Sequence, residues 1–488
     1  MNQRPPQEPR PDERPHRKTK IVATVGPASR EPEVLRELIA AGADVLRLNL
    51  AHATPEEFGE NVGRIRAASA EAGREVGILA DLPGPKLRLG DLEGDVAVLH
   101  SASTVRMRGG ADGIVGNAEL LPVQWAGFAS AVSEGDPVYL ADGRVRLKVA
   151  AVAGDEVTLE VEAGGAVSSH QGVNLPRADA ALPESGGTDE HWIDFACREG
   201  IDLLAVSFVR RPGDLESVAA RVRERGADIP LIAKIEKPQA AERAEEIIAA
   251  AASGIMVARG DLGVELPLEE VPGAQKRLIA LAGRASKPAI TATQMLATMV
   301  RASRPTRAEV TDVANAIYDG TDAVMLSEET AVGEHPVEAV RVMDRIARAT
   351  ERGLPYGDWV FNRVDEGERD VSEAVAQHAV AVAYRLELPA IVVPTSSGRT
   401  ARLVSSYRPR VPVLAVSSSL ATVRRMNLLF GVSAVQAPEW TSLRALLDEC
   451  ATLARERGLA RSGEQVAITA GLPSQEIGTN LFEVHRVP

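Results

Sequence analysis

Lys234 and Glu236 stand two residues apart in LIAKIEKP, and the two-residue period of an extended strand puts both side chains on one face. Asp261 follows the next β-branched run, in IMVARGDLG. Two hard carboxylates from neighbouring strands, with no His or Cys nearby, suit Mg²⁺ or Mn²⁺, which prefer oxygen ligands and keep waters for a substrate to displace. Lys234 and Arg47 add positive charge where a phosphoryl group gains negative charge in transit. Positioning and charge stabilisation are nearly all that such a transfer asks of a protein. A Lys–Glu pair standing alone also reads as a structural salt bridge. The ARGDLG segment adds weight, because Gly260 and Gly263 let backbone approach a ligand and N–H groups at a helix start can meet an anion.

These residues fall at the ends of short apolar runs separated by Ala-, Leu- and Glu-rich segments. Runs at 20–25, 45–49 and 76–81 precede a change of pattern, and runs at 203–208, 231–235, 255–258, 289–292 and 323–326 follow it. From 89 to 174 short pieces broken by Gly, Asp and Pro predict a small antiparallel β module. Three strands before the module and five after it make eight, and right-handed βα repetition to eight closes a barrel. Alternation alone leaves an open sheet possible. The tips favour the barrel: Arg47, Asn49 and His52; Asp81; Ser207; Lys234 and Glu236; Arg259, Gly260 and Asp261; Thr293; Ser327 and Glu329. In a (β/α)₈ barrel such tips converge on one face, where barrel enzymes carry their active sites. Any one of them alone reads as a cap or a surface charge.

The expected fold class is therefore α/β: a TIM barrel with an inserted small β-barrel lid domain and a C-terminal α/β domain. Its expected parts are a disordered tail at 1–17, barrel at 18–88 and 175–350, the insert at 89–174 and the last domain at 368–488. Strands in that last domain are expected near 390–393, 413–416 and 465–470. Apolar residues make up 45% of the 488 positions and aromatics only 3%, which fits Ala-, Val-, Leu- and Ile-rich strands buried on both faces. A balance of 55 Lys plus Arg against 68 Asp plus Glu argues against nucleic acid or an anionic membrane as partner. Cys197 and Cys450 have no CxxC partner, which fits a reducing cytoplasm, and the charged, Pro-rich N-terminus does not read as a secretory signal.

From residue 19 to the C-terminus the sequence resembles the pyruvate kinase family. TKIVATVGPAS, LRLN, GPKLR, KIEKP, IMVARGDLGVE, TATQML, RPTRAEVTDVANAIYDGTDAVMLSEETAVGEHPVEAV and TSSGRTARLVS match its landmarks in order. The resemblance implies transfer of a phosphoryl group from phosphoenolpyruvate to ADP, giving pyruvate and ATP, usually by a homotetramer with a mobile lid. It implies Lys234 as the catalytic lysine, Glu236 and Asp261 as Mg²⁺ ligands and Arg47 as a phosphate-binding arginine. Gly260 and Thr293 match substrate contacts, with Thr293 near the enolate face that is protonated. Arg88 and His52 match positions close to the nucleotide phosphates, and Ser327 with Glu329 matches a pair readable as a proton relay or as a satisfied hydrogen-bond pair. Thr395, Ser396, Ser397, Gly398, Arg399 and Thr400 resemble a loop that holds an effector phosphate, from a sugar phosphate or AMP.

Three departures qualify the resemblance. Of the residues that hold K⁺ in many members, Asn49 and Asp81 remain, but Ala51 and Leu82 replace a Ser and a Thr. Lys86 stands where K⁺-requiring members carry Glu, and its ammonium is expected to replace the ion and make K⁺ unnecessary. Gln171 replaces a Lys that reaches nucleotide phosphates, and Glu328 replaces a small residue. Metal-dependent aldolases and lyases share the carboxylate pair but need neither the insert nor the effector loop. A non-catalytic sensor of phosphorylated metabolites would be expected to lose Lys234, Glu236 or Asp261, and all three are present.

Overall fold

Short runs of Val, Ile, Leu and Ala become strands here because they can be buried on both faces at once. The computed structural model describes residues 16–51, 53–110, 113–177, 189–361, 370–440, 442–471 and 478–488. Eight parallel strands, Lys20–Thr24, Val45–Asn49, Gly77–Asp81, Leu203–Val206, Leu231–Ile235, Gly254–Ala258, Ala289–Ala292 and Ala323–Leu326, close into a barrel in chain order. Nearly every residue in them is buried. Local signals set the intervening helices. Pro32–Ala41 opens on a proline and ends at Gly42, whose φ of 119° lets its N–H reach back to Leu38 and Ile39. Arg307–Tyr318 starts from a capping box made by Thr306 and Glu309.

By its contacts the chain divides into two compact units. One comprises 47–64 and 78–294 and holds the inserted module. There a six-stranded sheet runs in the order Val173–Asn174, Pro137–Leu140, Val145–Ala153, Glu156–Ala163, Thr104–Gly109, Leu120–Val123, and a second pair joins Gly165–Ser168 to Val96–Leu99. Alternate residues of these strands, among them Met107, Leu147 and Leu159, meet around Phe128 in a separate core.

The other unit comprises 1–46, 65–77 and 295–488. Its C-terminal sheet has five strands, Val432–Gln436, Val413–Ser417, Ile391–Pro394, Gln465–Ala470 and Leu481–Arg486, the last antiparallel to its neighbour. Two of them, Val432–Gln436 and Leu481–Arg486, add to the three expected. Of the expected tail, 1–15 lie outside the described residues, whereas Arg17 is part of the fold and bonds Asp44 at 2.7 Å. Among the described residues no helix is long and apolar enough to cross a membrane.

Asp44 ties the start of this unit together. Its buried carboxylate accepts from Arg17, Arg74 and the Ile21 N–H (2.8 Å), and the Lys20 ammonium lies 3.8 Å away. Burial opposes the charge, but Arg17, Lys20 and Arg74 together hold the pKa down at about 2, against an ordinary 3.8. A depressed carboxyl pKa stabilises the fold above the unfolded value and loses that contribution as pH falls through the folded one. The shift corresponds to about 2–3 kcal/mol. We expect the stability gap between wild type and Asp44→Asn to be widest above about pH 4 and to close towards pH 2, as read by denaturant midpoints across that range.

Candidate active site

Strand register sets the level at which the polar tips emerge. Asp81 lies opposite Ala205, and Val206 lies opposite Ala233, so Ser207 and Lys234 stand level with each other two residues further along than Asp81. The Lys234 ammonium donates to Ser207 Oγ at 2.7 Å and meets Glu236 Oε1 at 2.7 Å and Asp81 Oδ1 at 3.1 Å. Arg47 closes the cluster through Nε and Nη2, at 2.8 and 2.6 Å from Asp81 Oδ2. Ser207 Oγ in turn donates to Asp81 Oδ1 at 3.3 Å.

Electrostatics follow from this packing. Burial works against a charged Lys234, but Asp81 and then Glu236 outweigh it and raise its pKa above the ordinary lysine value. Burial likewise opposes charge on Asp81, and Lys234 and Arg47 overcome it, leaving its pKa lowered. Glu236 shifts the other way. Burial raises its pKa, Lys234 pulls it down, and the nearby Asp261 carboxylate pushes it up again. Its second oxygen accepts from the Phe208 N–H at 2.8 Å.

Gly260 and Asp261 open the helix Arg259–Glu265. The Gly260 N–H donates to Thr293 Oγ1 at 2.7 Å, and that hydroxyl donates to Ala292 O at 2.6 Å. Thr293 and Gln294 both have positive φ, 68° and 54°. Arg259 secures this turn through Thr293 O at 2.7 Å. The N–H groups expected to face a ligand are thus in part occupied: that of Gly260 is taken by Thr293.

Comparison with known proteins decides the family. The model for the pyruvate kinase barrel domain matches residues 16–340, and that for the pyruvate kinase alpha/beta domain matches 373–485. The chain belongs to the pyruvate kinase family. A pyruvate kinase from Geobacillus stearothermophilus is 43% identical over 96% of this chain and 80% of its own length. One from Thermococcus litoralis is 38% identical over 98% of this chain and the whole of its own. The crystal structure of a pyruvate kinase from Cryptosporidium parvum superposes with a TM-score of 0.92 at 33% identity, covering 97% and 96% of the two chains. Membership makes the chain an enzyme, a phosphotransferase.

Other expected pyruvate kinase positions are placed individually. Asn49 ends the second barrel strand, and His52 lies outside the described residues. Arg88 donates to His170 O at 3.0 Å and pairs its backbone with Gly172. Gln171 turns back, its Oε1 accepting from the Ser168 N–H at 2.8 Å. The end of the Lys86 side chain lies over Gly172, whose absent Cβ would stand 2.8 Å from Lys86 Cε. In the other unit, Glu329 accepts from the N–H groups of Ser327 (2.7 Å) and Leu296 (3.0 Å), and Glu328 is exposed.

The loop 395–400 follows the strand Ile391–Pro394 and leads into the helix Arg399–Ser406. Thr395 Oγ1 accepts from the Gly398 N–H at 3.0 Å, Arg399 is paired with Asp370, and Thr400 bonds Thr479. Thr422 Oγ1 donates to Ser396 O at 2.9 Å, and Ser397 is exposed.

Sequence reasoning passed over Lys237 and Glu265, which form a buried ion pair to which Asn174 also donates at 3.2 Å. Lys237 is legible afterwards as the second lysine of KIEK, standing just ahead of the next helix, Pro238–Glu242. Gly84 is the other unforeseen constraint. Its φ is +65°, and a Cβ there would lie 2.8 Å from the Phe208 ring and 3.1 Å from Ser207 Cβ. Gly84→Ala is expected to cost about 1–3 kcal/mol in chemical unfolding and to displace Ser207 and Phe208. Gly213→Ala, in a helix with open space around it, serves as the neutral-to-stabilising control.

Proposed function

We propose that this chain transfers the phosphoryl group of phosphoenolpyruvate to ADP, with Glu236 and Asp261 holding a divalent cation, Mg²⁺ or Mn²⁺. The observation that carries the reading is the Lys234 ammonium fixed among Ser207, Asp81 and Glu236 beside Arg47. The donor set fits a cation. Asp81, Glu236 and Asp261 act on Lys234 as three carboxylates, against the single added cation of Arg47, and burial first, then the Asp261 carboxylate, raises the pKa of Glu236 against the pull of Lys234. Among the described residues no cluster of three or more His, Cys, Asp or Glu side chains is arranged as a metal site. Glu236 and Asp261 would hold the cation through oxygen, the ligand type that suits Mg²⁺ or Mn²⁺. Such a cation supplies positive charge to the phosphoryl oxygens.

The chain's own residues do the rest. The bond from phosphorus to the enol oxygen breaks, a bond to an ADP phosphate oxygen forms, and the enolate carbon takes up a proton. Lys234 and Arg47 stabilise the charge on the moving group, and Lys234 stays protonated throughout. Thr293 lies on the enolate side and holds the Gly260 backbone. Ser327 and Glu329 act through their hydrogen bonds as a positioning pair. Asn49, His52 and Arg88 take the role of nucleotide contacts by their match to the family, with Asn49 and Asp81 a remnant K⁺ site made redundant by Lys86. The insert serves as a lid, the loop 395–400 takes a sugar phosphate or AMP once Arg399 leaves Asp370, and the assembly is a cytoplasmic homotetramer.

The first test is pyruvate formation from phosphoenolpyruvate and ADP with Mg²⁺ in K⁺-free Tris buffer. Wild type should turn over, and folded Lys234→Met should lose about a thousandfold or more in kcat. No turnover by wild type with either Mg²⁺ or Mn²⁺ would remove the proposal. Adding K⁺ at constant ionic strength should change the wild-type rate by less than about twofold, and Lys86→Glu should make the rate depend on K⁺. A many-fold rise in wild type would discard the ion-replacement role and leave the transfer reading intact.

A further inference from the structure

The unit formed by 1–46, 65–77 and 295–488 contains a cavity of about 650 Å³ that lies apart from the residues assigned above. Its walls come from the segment entering the first barrel strand, the end of the helix Pro336–Glu351, the helix Tyr356–Phe361 and the turn before the strand Val413–Ser417. That volume matches a metabolite-sized ligand.

Its lining is strongly basic. His16, Lys18, Arg348, Arg352 and Arg410 all face it, against Glu351 and Asp358. Glu351 is committed elsewhere, since its carboxylate accepts from the N–H groups of Lys18 and Thr19 at 2.7–3.0 Å. Arg348 bonds Asp344 at 2.7 Å. The side chains of Arg352 and Arg410 are exposed and make no hydrogen bond or ion pair among the described residues.

The floor is equally unsatisfied. Tyr356 is 8% exposed, its hydroxyl is buried with no hydrogen-bond partner, and the Lys18 ammonium sits 5.2 Å above its ring. Burial, followed by Arg348, Lys20 and Lys18, lowers the pKa of His16. Burial also lowers that of Lys18, with Glu351 opposing and Arg410 adding to the effect. Cations gathered around an open volume are relieved by an incoming anion. Guanidinium forks match the oxygens of a phosphate, and a tyrosine hydroxyl supplies one further donor.

We propose that this cavity binds a phosphate-monoester dianion, at a site separate from the Lys234 cluster and from the loop 395–400. The guanidiniums of Arg352 and Arg410 bind the phosphate, Lys18 adds charge, and the body of the ester lies against Tyr356. Because Glu351 joins one wall to the backbone of Lys18 and Thr19, the ligand contacts the segment that leads directly into the first barrel strand.

Titration calorimetry on the full chain tests this with inorganic phosphate, glucose 6-phosphate and AMP as separate probes. The proteins are wild type, Arg352→Ala with Arg410→Ala, and Arg399→Ala in the loop 395–400. At least one probe should bind wild type and Arg399→Ala alike and bind the double variant about tenfold or more weakly. A preference for glucose 6-phosphate over AMP, or the reverse, names the source of the phosphate. The proposal is overturned if no probe binds wild type, if the double variant binds equally well, or if only Arg399→Ala loses binding. Both altered arginines are exposed, so melting curves should match wild type. Should the double variant melt early, Arg352→Lys with Arg410→Lys keeps the charge without the fork, and undiminished affinity there would count against the site.

Discussion

A lysine ammonium and the carboxylates of Asp81 and Glu236 share one buried place, and the rest of the barrel is arranged to make that tolerable. The three side chains are between 1% and 12% exposed. Removing such ions from water costs several kcal/mol each, and their mutual attraction repays it only in good geometry. Apolar residues of similar volume would give a more stable barrel, so the cluster is a concession to chemistry rather than a source of stability. Its geometry is supplied by rigid parts: the third and fifth strands bring Asp81 and Lys234, and a step beyond the fourth brings Ser207. No single strand could bring all of these together, because successive residues on one strand point to opposite faces.

The same segments that carry the cluster also hold the inserted module. Glu236 receives the Phe208 N–H, and the next residue, Lys237, binds Glu265, which also takes a bond from Asn174 at the exit of the module. Glu265 closes the short helix that begins with Arg259, Gly260 and Asp261. Asn174 and Glu265 thus connect the module exit to the helix bearing one proposed cation ligand, and Lys237 connects it to the residue beside the other. Phe208, at φ 56°, and Gly84, packed against it, leave that connection little slack. The module and the carboxylates are thus joined by adjacent hydrogen bonds and one buried ion pair.

The barrel was legible because its strands are short, apolar and regularly spaced, and because Lys234, Glu236 and Asp261 stand at their ends. Strand Leu481–Arg486 escaped notice because LFEVHR lies only partly buried in an antiparallel place, where polar residues are admitted and the apolar run breaks up. Val432–Gln436 is short and carries a Ser and a Gln at exposed places, which hides it in the same way. Partnerships between distant segments were beyond reach. Arg399 with Asp370, Lys237 with Glu265 and Asp44 with Arg17 each join residues of ordinary type whose pairing is decided by packing. Gln171 illustrates the limit: its type was legible as a departure from the family, but its turn back onto Ser168 depends on the local loop.

For the proposed transfer, hydrogen-bond accounting narrows where the enolate's proton originates. Lys234 has a raised pKa, so at neutral pH it is a fixed charge and a poor proton donor. Thr293 already donates its hydroxyl proton to Ala292 O while accepting from Gly260, and giving that proton away would first require breaking the bond that holds the turn. Both oxygens of Glu329 accept from backbone amides, those of Leu296 and Ser327, which ties the side chain to the turn. Each side chain near its family position is better suited to hold geometry than to carry a proton. The reading that follows is a proton taken from water, with Thr293 orienting the face on which that water sits. Phosphoryl transfer and protonation then place opposite demands on the protein: the first needs fixed positive charge, which the proposal gives to Lys234 and Arg47, and the second needs an exchangeable donor, which it gives to water.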